Sequence, residues 1–318
     1  MIGHFVQDRS LIIFASAETG LNWPDYLVMT LYMSVVVIMG IVLSGRQRSR
    51  EDYFLGGRRM PWFAIGLSLV ASLLSTVGYL GQPGELIQHG ITYIAGTNLV
   101  LTLAFAVITF LWLPFFMRMH LTSVYEYLER RFGLVARWLG SAMFVFVLRL
   151  VWMAVIVLIS SQAVAQITYE SARSLADSAL HLELTLEYWV WIVLMSVGVL
   201  ATVYTMLGGI KAVIWTDVVQ FVVFLAGLLL TIAIVATSTG TGPVDWWHDI
   251  VSVQHEFKWA SWDLSERSTL LWTSLSIFFW FILTFTGDQV AMQRFFTTSS
   301  VRSAIWSNTI RPTLAASW

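Results

Sequence analysis

The 318-residue sequence has no cysteine, 6 prolines and little charge, and each shortage excludes something. Without cysteine there is no disulfide framework, no thiolate nucleophile and no cysteine-ligated metal. The 6 histidines are scattered, with no H-x-x-x-H pair, so zinc chemistry has no ligand set. No Ser-His-Asp, H-E-x-x-H or paired-carboxylate arrangement falls on a common face, so an enzyme is not expected, and no organic cofactor either. Asp, Glu, Lys and Arg make up 12% of the chain, about half the share in a soluble domain. A formal net charge of -1 leaves no basic face for nucleic acid. The absence of long polar tracts excludes extensive disorder. What remains is 57% hydrophobic residues, a surplus that must lie in lipid or against other spanning helices. The composition predicts an all-α polytopic protein of the cell membrane, with lipid as its first partner.

Apolar runs of about 20 residues, enough to cross about 30 Å of hydrocarbon, cover 26–44, 61–80, 91–117, 137–167, 188–207, 212–237 and 270–292. These are seven candidate spans. The 10–17 run is too short to span and lacks a basic flank and a cleavage site, which places it at the interface. Lys and Arg are retained in cytoplasmic loops. With the N-terminus extracytoplasmic, 13 of the 18 basic residues fall inside and 4 outside (Arg9, Arg173, Lys258 and Arg267), while Arg149 lies within a span. Acidic residues of 168–187 and 238–268 agree with an outer location. Trp23, Trp62, Trp138, Trp189, Trp246 and Trp247 sit at span ends and read as interfacial anchors.

Two spans look interrupted. The second carries Ser68, Ser72, Ser75 and Thr76 at mid-span depth, then Gly78, Gly81, Gln82 and Pro83; the seventh carries Gly287 beside Asp288 in an apolar run. Small polar residues also pack ordinary spanning helices, with hydroxyls bonded to the preceding turn. A second interruption five spans later, in a helix of opposite direction, favours the unwound helices of an inverted-repeat transporter, whose free carbonyls and amides coordinate ions and solute.

Four stretches then resemble the sodium:solute symporter family. Glu51-Asp-Tyr-Phe-Leu-Gly-Gly-Arg-Arg-Met-Pro-Trp62 is similar to the loop that opens its first core helix. Leu121-Thr-Ser-Val-Tyr-Glu-Tyr-Leu-Glu-Arg-Arg-Phe132 is similar to its amphipathic loop after the second. Tyr204-Thr-Met-Leu-Gly-Gly-Ile-Lys-Ala-Val-Ile-Trp-Thr-Asp-Val-Val-Gln220 resembles its most diagnostic signature, and Gln289-Val-Ala-Met-Gln-Arg294 resembles the end of its sixth core helix. The 83–90 spacing and the Thr-Ser-Val-Tyr-Glu-Tyr run lean towards the iodide, vitamin and monocarboxylate branch. The resemblance implies a LeuT-type inverted-repeat fold, present as a leading helix plus core helices one to six. Residues 1–25 form an extracytoplasmic segment, 26–304 a partial symporter domain and 305–318 a divergent end. Residues 308–318 do not look like the next helix, and Arg311-Pro312 suggests a truncated or frame-disrupted product.

By the same resemblance the coupling ion is sodium, with Ala71 and Leu74 offering backbone carbonyls and Asp217 lining the ion path. Sodium is a hard ion that prefers oxygen ligands. The family's other sodium ligands come from an eighth core helix that this sequence does not contain. Ser75, Thr76, Gly78, Gln82, Phe285 and Thr286 are the expected pocket lining. Gly78 stands where sugar and iodide members carry Gln, and Thr284 where sugar members carry a gating Tyr, so a sugar is disfavoured and Phe285 is the candidate gate. Arg149, about a dozen residues into its span, pairs with an anionic substrate or with a buried acid such as Asp288, the second being the commoner fate of such charges. The expected activity is sodium-coupled symport of a small solute by alternating access, with an anion or carboxylate among the classes open to it. The alternatives are a non-transporting fragment and a membrane-sensing input domain, and a separately encoded C-terminal half is a candidate partner.

Overall fold

The computed structural model describes residues 21–44, 49–74, 84, 100–252, 259–263 and 269–315. The described residues contain helices and no strand. Helix α1 runs over Trp23–Ser44, the short α2 over Arg50–Leu55 and α3 over Trp62–Leu73. Helix α4 covers Val100–Arg118, with a wide π-helical turn at Ile108–Trp112 just before Pro114, where proline's missing N–H interrupts regular bonding. Helix α5 is Val124–Phe132, and α6 runs over Leu134–Ser178 with a second π-helical stretch at Met143–Leu150. Helix α7 spans Leu186–Thr239 but turns sharply at Gly209, whose φ of 57° and ψ of -164° suit glycine alone. Four further helices follow: α8 Pro243–Ser252, α9 Leu270–Gly287, α10 Gln289–Phe296 and α11 Val301–Ala315.

Six described helices are long and apolar enough to cross a membrane. The expected span 61–80 is described only as α3, ending at Leu73, and the rest of it lies outside the described residues. Two connections differ from the sequence reading. Where 168–187 reads as a loop, helix continues through Ser178, and within 238–268 the α8 helix forms. Apolar runs locate where a chain can meet lipid, whereas a helix can continue into water with a polar exterior, as Glu170, Arg173 and Asp177 allow here. The end of the chain is also corrected: 301–315 is helical, although 308–318 reads as unlike another helix.

The chain divides into two compact units. One takes in Met1–Val35 and Val157–Leu200. There the Trp189 indole N–H donates to Thr168 Oγ1 at 2.8 Å and the Tyr169 hydroxyl to the Leu184 carbonyl at 2.9 Å, so two aromatic anchors join α6 to the segment that starts α7.

The other unit takes in Val36–Ile156 and Ala201–Trp318 and holds the main core. Leu55, Ile65, Leu69, Phe105, Ile108, Leu113, Ile214, Met292, Phe295 and Phe296 are buried together there. Helix α11 lies hard against α3 at Gly66: a Cβ at that position would sit 2.7 Å from the Ser307 carbonyl oxygen and 2.5 Å from Ile310 Cδ1. Asn308, fully buried, donates to Thr109 Oγ1 at 2.6 Å, which ties α11 to α4 as well. Outside this core, Leu31, Phe110, Phe146, Leu150 and Leu230 are exposed. Apolar faces of this extent belong against lipid or other spanning helices.

Candidate functional site

At the first expected interruption, α3 ends at Leu73. Leu74, with φ -78° and ψ 67°, leaves the helical region, and its N–H closes the last turn on the Val70 carbonyl at 3.2 Å. The final carbonyls of a helix lack partners within it; the residues that follow Ala71 to Leu74, 75–83, lie outside the described residues. One turn earlier, Ser68 is fully buried and takes part in a three-residue cluster. Its hydroxyl donates to Asp217 Oδ2 at 2.5 Å and accepts from Arg294 Nε at 2.7 Å. Arg294 Nη2 donates to the same Asp217 oxygen at 2.8 Å, and Nη1 to the Val290 carbonyl at 3.0 Å. The Arg294 side chain is 6% exposed and that of Asp217 16%. Three segments, α3, the part of α7 beyond Gly209 and α10, are thus joined by one charge pair and one hydroxyl.

The second break falls between α9 and α10. Asp288 (φ -82°, ψ 118°) both ends α9 and caps α10, its side chain accepting from the Val290 N–H. Its other carboxylate oxygen is paired with Arg149, which stands in the π-helical stretch of α6 and also lies over the Phe144 ring, 5.1 Å from its centroid. The Gly287 carbonyl, freed by the break, accepts from the Tyr125 hydroxyl at 3.2 Å. Burial, and secondarily the Asp288 carboxylate, push the Tyr125 phenol above its ordinary value, so it stays protonated and remains a donor. Gln289 Oε1 accepts from the Val124 N–H at 2.9 Å and from the Ser123 hydroxyl at 3.1 Å, capping α5.

The motif stretches therefore meet at α10. Gln293 Nε2 donates to the Phe54 carbonyl at 2.7 Å, and the Met60 N–H to the Thr297 carbonyl at 3.1 Å. Arg58, held at φ 53° after Gly56 and Gly57, reaches Glu51 at 3.1 Å and the Leu121 carbonyl at 3.1 Å. Lys211 lies 3.7 Å from Asp52, and Trp215 packs edge-on to Phe63 at 6.3 Å. Beside Lys211, an open polar cleft of about 520 Å³ is lined by Ser49, Glu51, Asp52, Gly56, Gly57, Arg59 and Met60, and contains none of the expected pocket residues.

Asp217 meets α3 through Ser68, and Ala71 and Leu74 stand further along the same helix, at its end. Phe285 is 2% exposed and packed between the Phe105 and Phe281 rings, at 6.4 and 5.7 Å, so its ring serves the core here. The Thr286 hydroxyl is taken up by the Ile282 carbonyl at 2.6 Å. Of the two fates expected for Arg149, the ion pair with Asp288 is the one formed. Ser75, Thr76, Gly78 and Gln82 lie outside the described residues. Among the described residues no three His, Cys, Asp or Glu side chains gather where a metal ion could be held. Sequence reasoning missed Ser68 and Arg294 as partners of Asp217. The usable signal was an arginine only six residues past Asp288 that periodicity turns towards the core.

A profile of the sodium:solute symporter family matches residues 53–314, extending past 304 into α11. The chain is 29% identical over 282 residues to the sodium/sialic acid symporter NanT of Aliivibrio fischeri, covering 87% of this chain and 51% of that one. It is 30% identical over 279 residues to the sodium/sialic acid symporter SiaT of Proteus mirabilis, covering 87% and 52%. It is 35% identical over 217 residues to the human sodium/iodide cotransporter, covering 66% and 30%. The chain thus spans about half the length of the two sialic acid symporters, or less of the iodide cotransporter. A solved structure of a Na+-coupled sialic acid symporter in its substrate-bound outward-open state superposes with a TM-score of 0.69 at 27% identity, covering 93% of this chain and 58% of that one. The helical fold is thus of the LeuT type, and the chain is a member of the sodium:solute symporter family.

Proposed function

We propose that this chain takes part in sodium-coupled uptake of a small solute across the cell membrane by alternating access, with its N-terminus extracytoplasmic. The observation that carries the reading is the end of α3 at Leu74 on the same helix as Ser68, whose hydroxyl donates to the partly buried Asp217 carboxylate. Ala71 and Leu74 supply neutral carbonyl oxygens, a ligand type that binds a hard monovalent cation without burying a second charge. Asp217 receives the ion on its way inward. Ser75, Thr76, Gly78, Gln82 and Thr286 are the proposed pocket lining and Phe285 the proposed gate, which requires its ring to leave the core packing described above. An anionic solute is favoured because Arg149 stands at the second break, where a solute carboxylate can take the place of Asp288.

The test is uptake by the purified chain in lipid vesicles, with labelled small carboxylates and neutral solutes offered under an inward sodium or choline gradient. Accumulation under sodium alone is expected, reduced in sodium sensitivity by Asp217→Ala and in anion preference by Arg149→Gln. Equal uptake in sodium and choline sinks the reading. Uptake that needs a second polypeptide carrying further spans supports the same mechanism divided between two chains.

A further inference from the structure

The Arg294–Asp217–Ser68 cluster has an asymmetry that the sodium reading does not use. Both donors converge on Asp217 Oδ2, from Arg294 Nη2 at 2.8 Å and Ser68 Oγ at 2.5 Å, and Oδ1 has no donor among the described residues. The acid is also the more accessible partner, at 16% exposure against 6% for the arginine. A cation that reaches the acid therefore finds Oδ1 without a donor among the described residues, and the acid more exposed than Arg294. Once there it shares one carboxylate with a guanidinium, and like charges that close repel.

The pair is also mechanical. Arg294 lies on α10, which begins at the second break, while Ser68 lies on α3, which ends at the first. Besides Asp217, the guanidinium holds, among the described residues, only Ser68 and its own helix at Val290. Weakening the hold on Asp217 and Ser68 removes the polar link that this cluster makes between α3, α10 and α7.

We propose that Arg294 is a positioning residue that latches α3, α7 and α10 together while Asp217 carries no cation, and that sodium arriving at Asp217 releases the latch. This rests on the sodium-coupled reading above.

The chain has no cysteine, so a single one reports without background. Ser72, exposed and bonded to the Ser68 carbonyl at 2.8 Å, sits one turn beyond the cluster. The experiment measures the rate at which a charged, impermeant thiol reagent modifies Ser72→Cys in the purified full chain, in sodium and in choline. Sodium is expected to raise that rate by at least about fivefold, the lower end of ordinary site-to-site coupling. Adding Arg294→Gln should give the fast rate in choline, whereas Arg294→Lys, which keeps the charge, should restore sodium sensitivity. A slow, sodium-sensitive rate in Arg294→Gln overturns the latch while leaving sodium binding intact. Absence of any sodium effect in Ser72→Cys alone overturns the underlying sodium reading, and the latch with it. Should Arg294→Gln fail to give a monodisperse protein, the isosteric Asp217→Asn must show the fast, sodium-independent rate, and a slow rate there overturns the proposal equally.

Discussion

Single residues carry contrasting constraints that stability measurements can separate. Gly66 lets the α11 backbone approach α3, and a methyl group there meets the Ser307 carbonyl at 2.7 Å, an atom that moves only with its helix. Gly66→Ala is expected to destabilise by about 1–3 kcal/mol, the usual cost of overpacking, read as a lower melting temperature in detergent. Gly198 and Gly227 are helical glycines whose added Cβ would meet nothing within 4 Å. Alanine at either should be neutral or stabilising by up to about 1 kcal/mol through helix propensity alone; a loss comparable to that of Gly66→Ala would show that propensity arguments fail in this bundle. Tyr125→Phe leaves the ring and removes the donor to Gly287, so a loss of about 0.5–1.5 kcal/mol is expected.

At the scale of elements, α5 is a polar helix outside the spans whose start depends on charge. The Glu126 carboxylate accepts from the Thr122 N–H and hydroxyl and from Arg130. Burial alone would raise its pKa, but these donors outweigh burial and the net shift is downward. A carboxyl whose folded pKa lies below its unfolded one stabilises fully above the unfolded value and loses that contribution as pH falls through the folded one. Thermal stability should therefore decline as pH drops below about 4.3, the ordinary glutamate value, and Glu126→Gln should flatten that part of the profile. An unchanged slope in the variant would assign the acid sensitivity to other carboxylates. Ser49, Ser123 and the Gly56-Gly57 pair are cap and turn residues for physical reasons, a local signal that the sequence reading above did not use. The break at Gly287 was legible beforehand, from glycine beside a charge in an apolar run. The partners of Asp217 were not, since they lie 149 and 77 residues away and nothing local encodes which helices meet. The α11 helix was missed because Arg311-Pro312 reads as a terminator, while its footing on Gly66 and Thr109 is tertiary.

For the whole molecule, the uneven placement of 18 basic residues predicts the direction of insertion. A cysteine replacing Ser178, at the end of α6, should react with an impermeant reagent added outside intact cells, and one replacing Ser299, between α10 and α11, should react only after permeabilisation. The reverse pattern would invert the topology without disturbing the fold. The junction at Asp288 reaches further than either label. One residue closes α9 and opens α10, with no spacer between them, so the polar contacts of α10 are indexed by count from that point. Inserting or deleting a single residue there rotates α10 by about 100° and carries Gln289, Gln293 and Arg294 off the Val124, Phe54 and Asp217 partners at once. Evolution of this segment is therefore confined to substitution, and relatives that retain the three polar residues are expected to preserve their spacing from the aspartate without gaps.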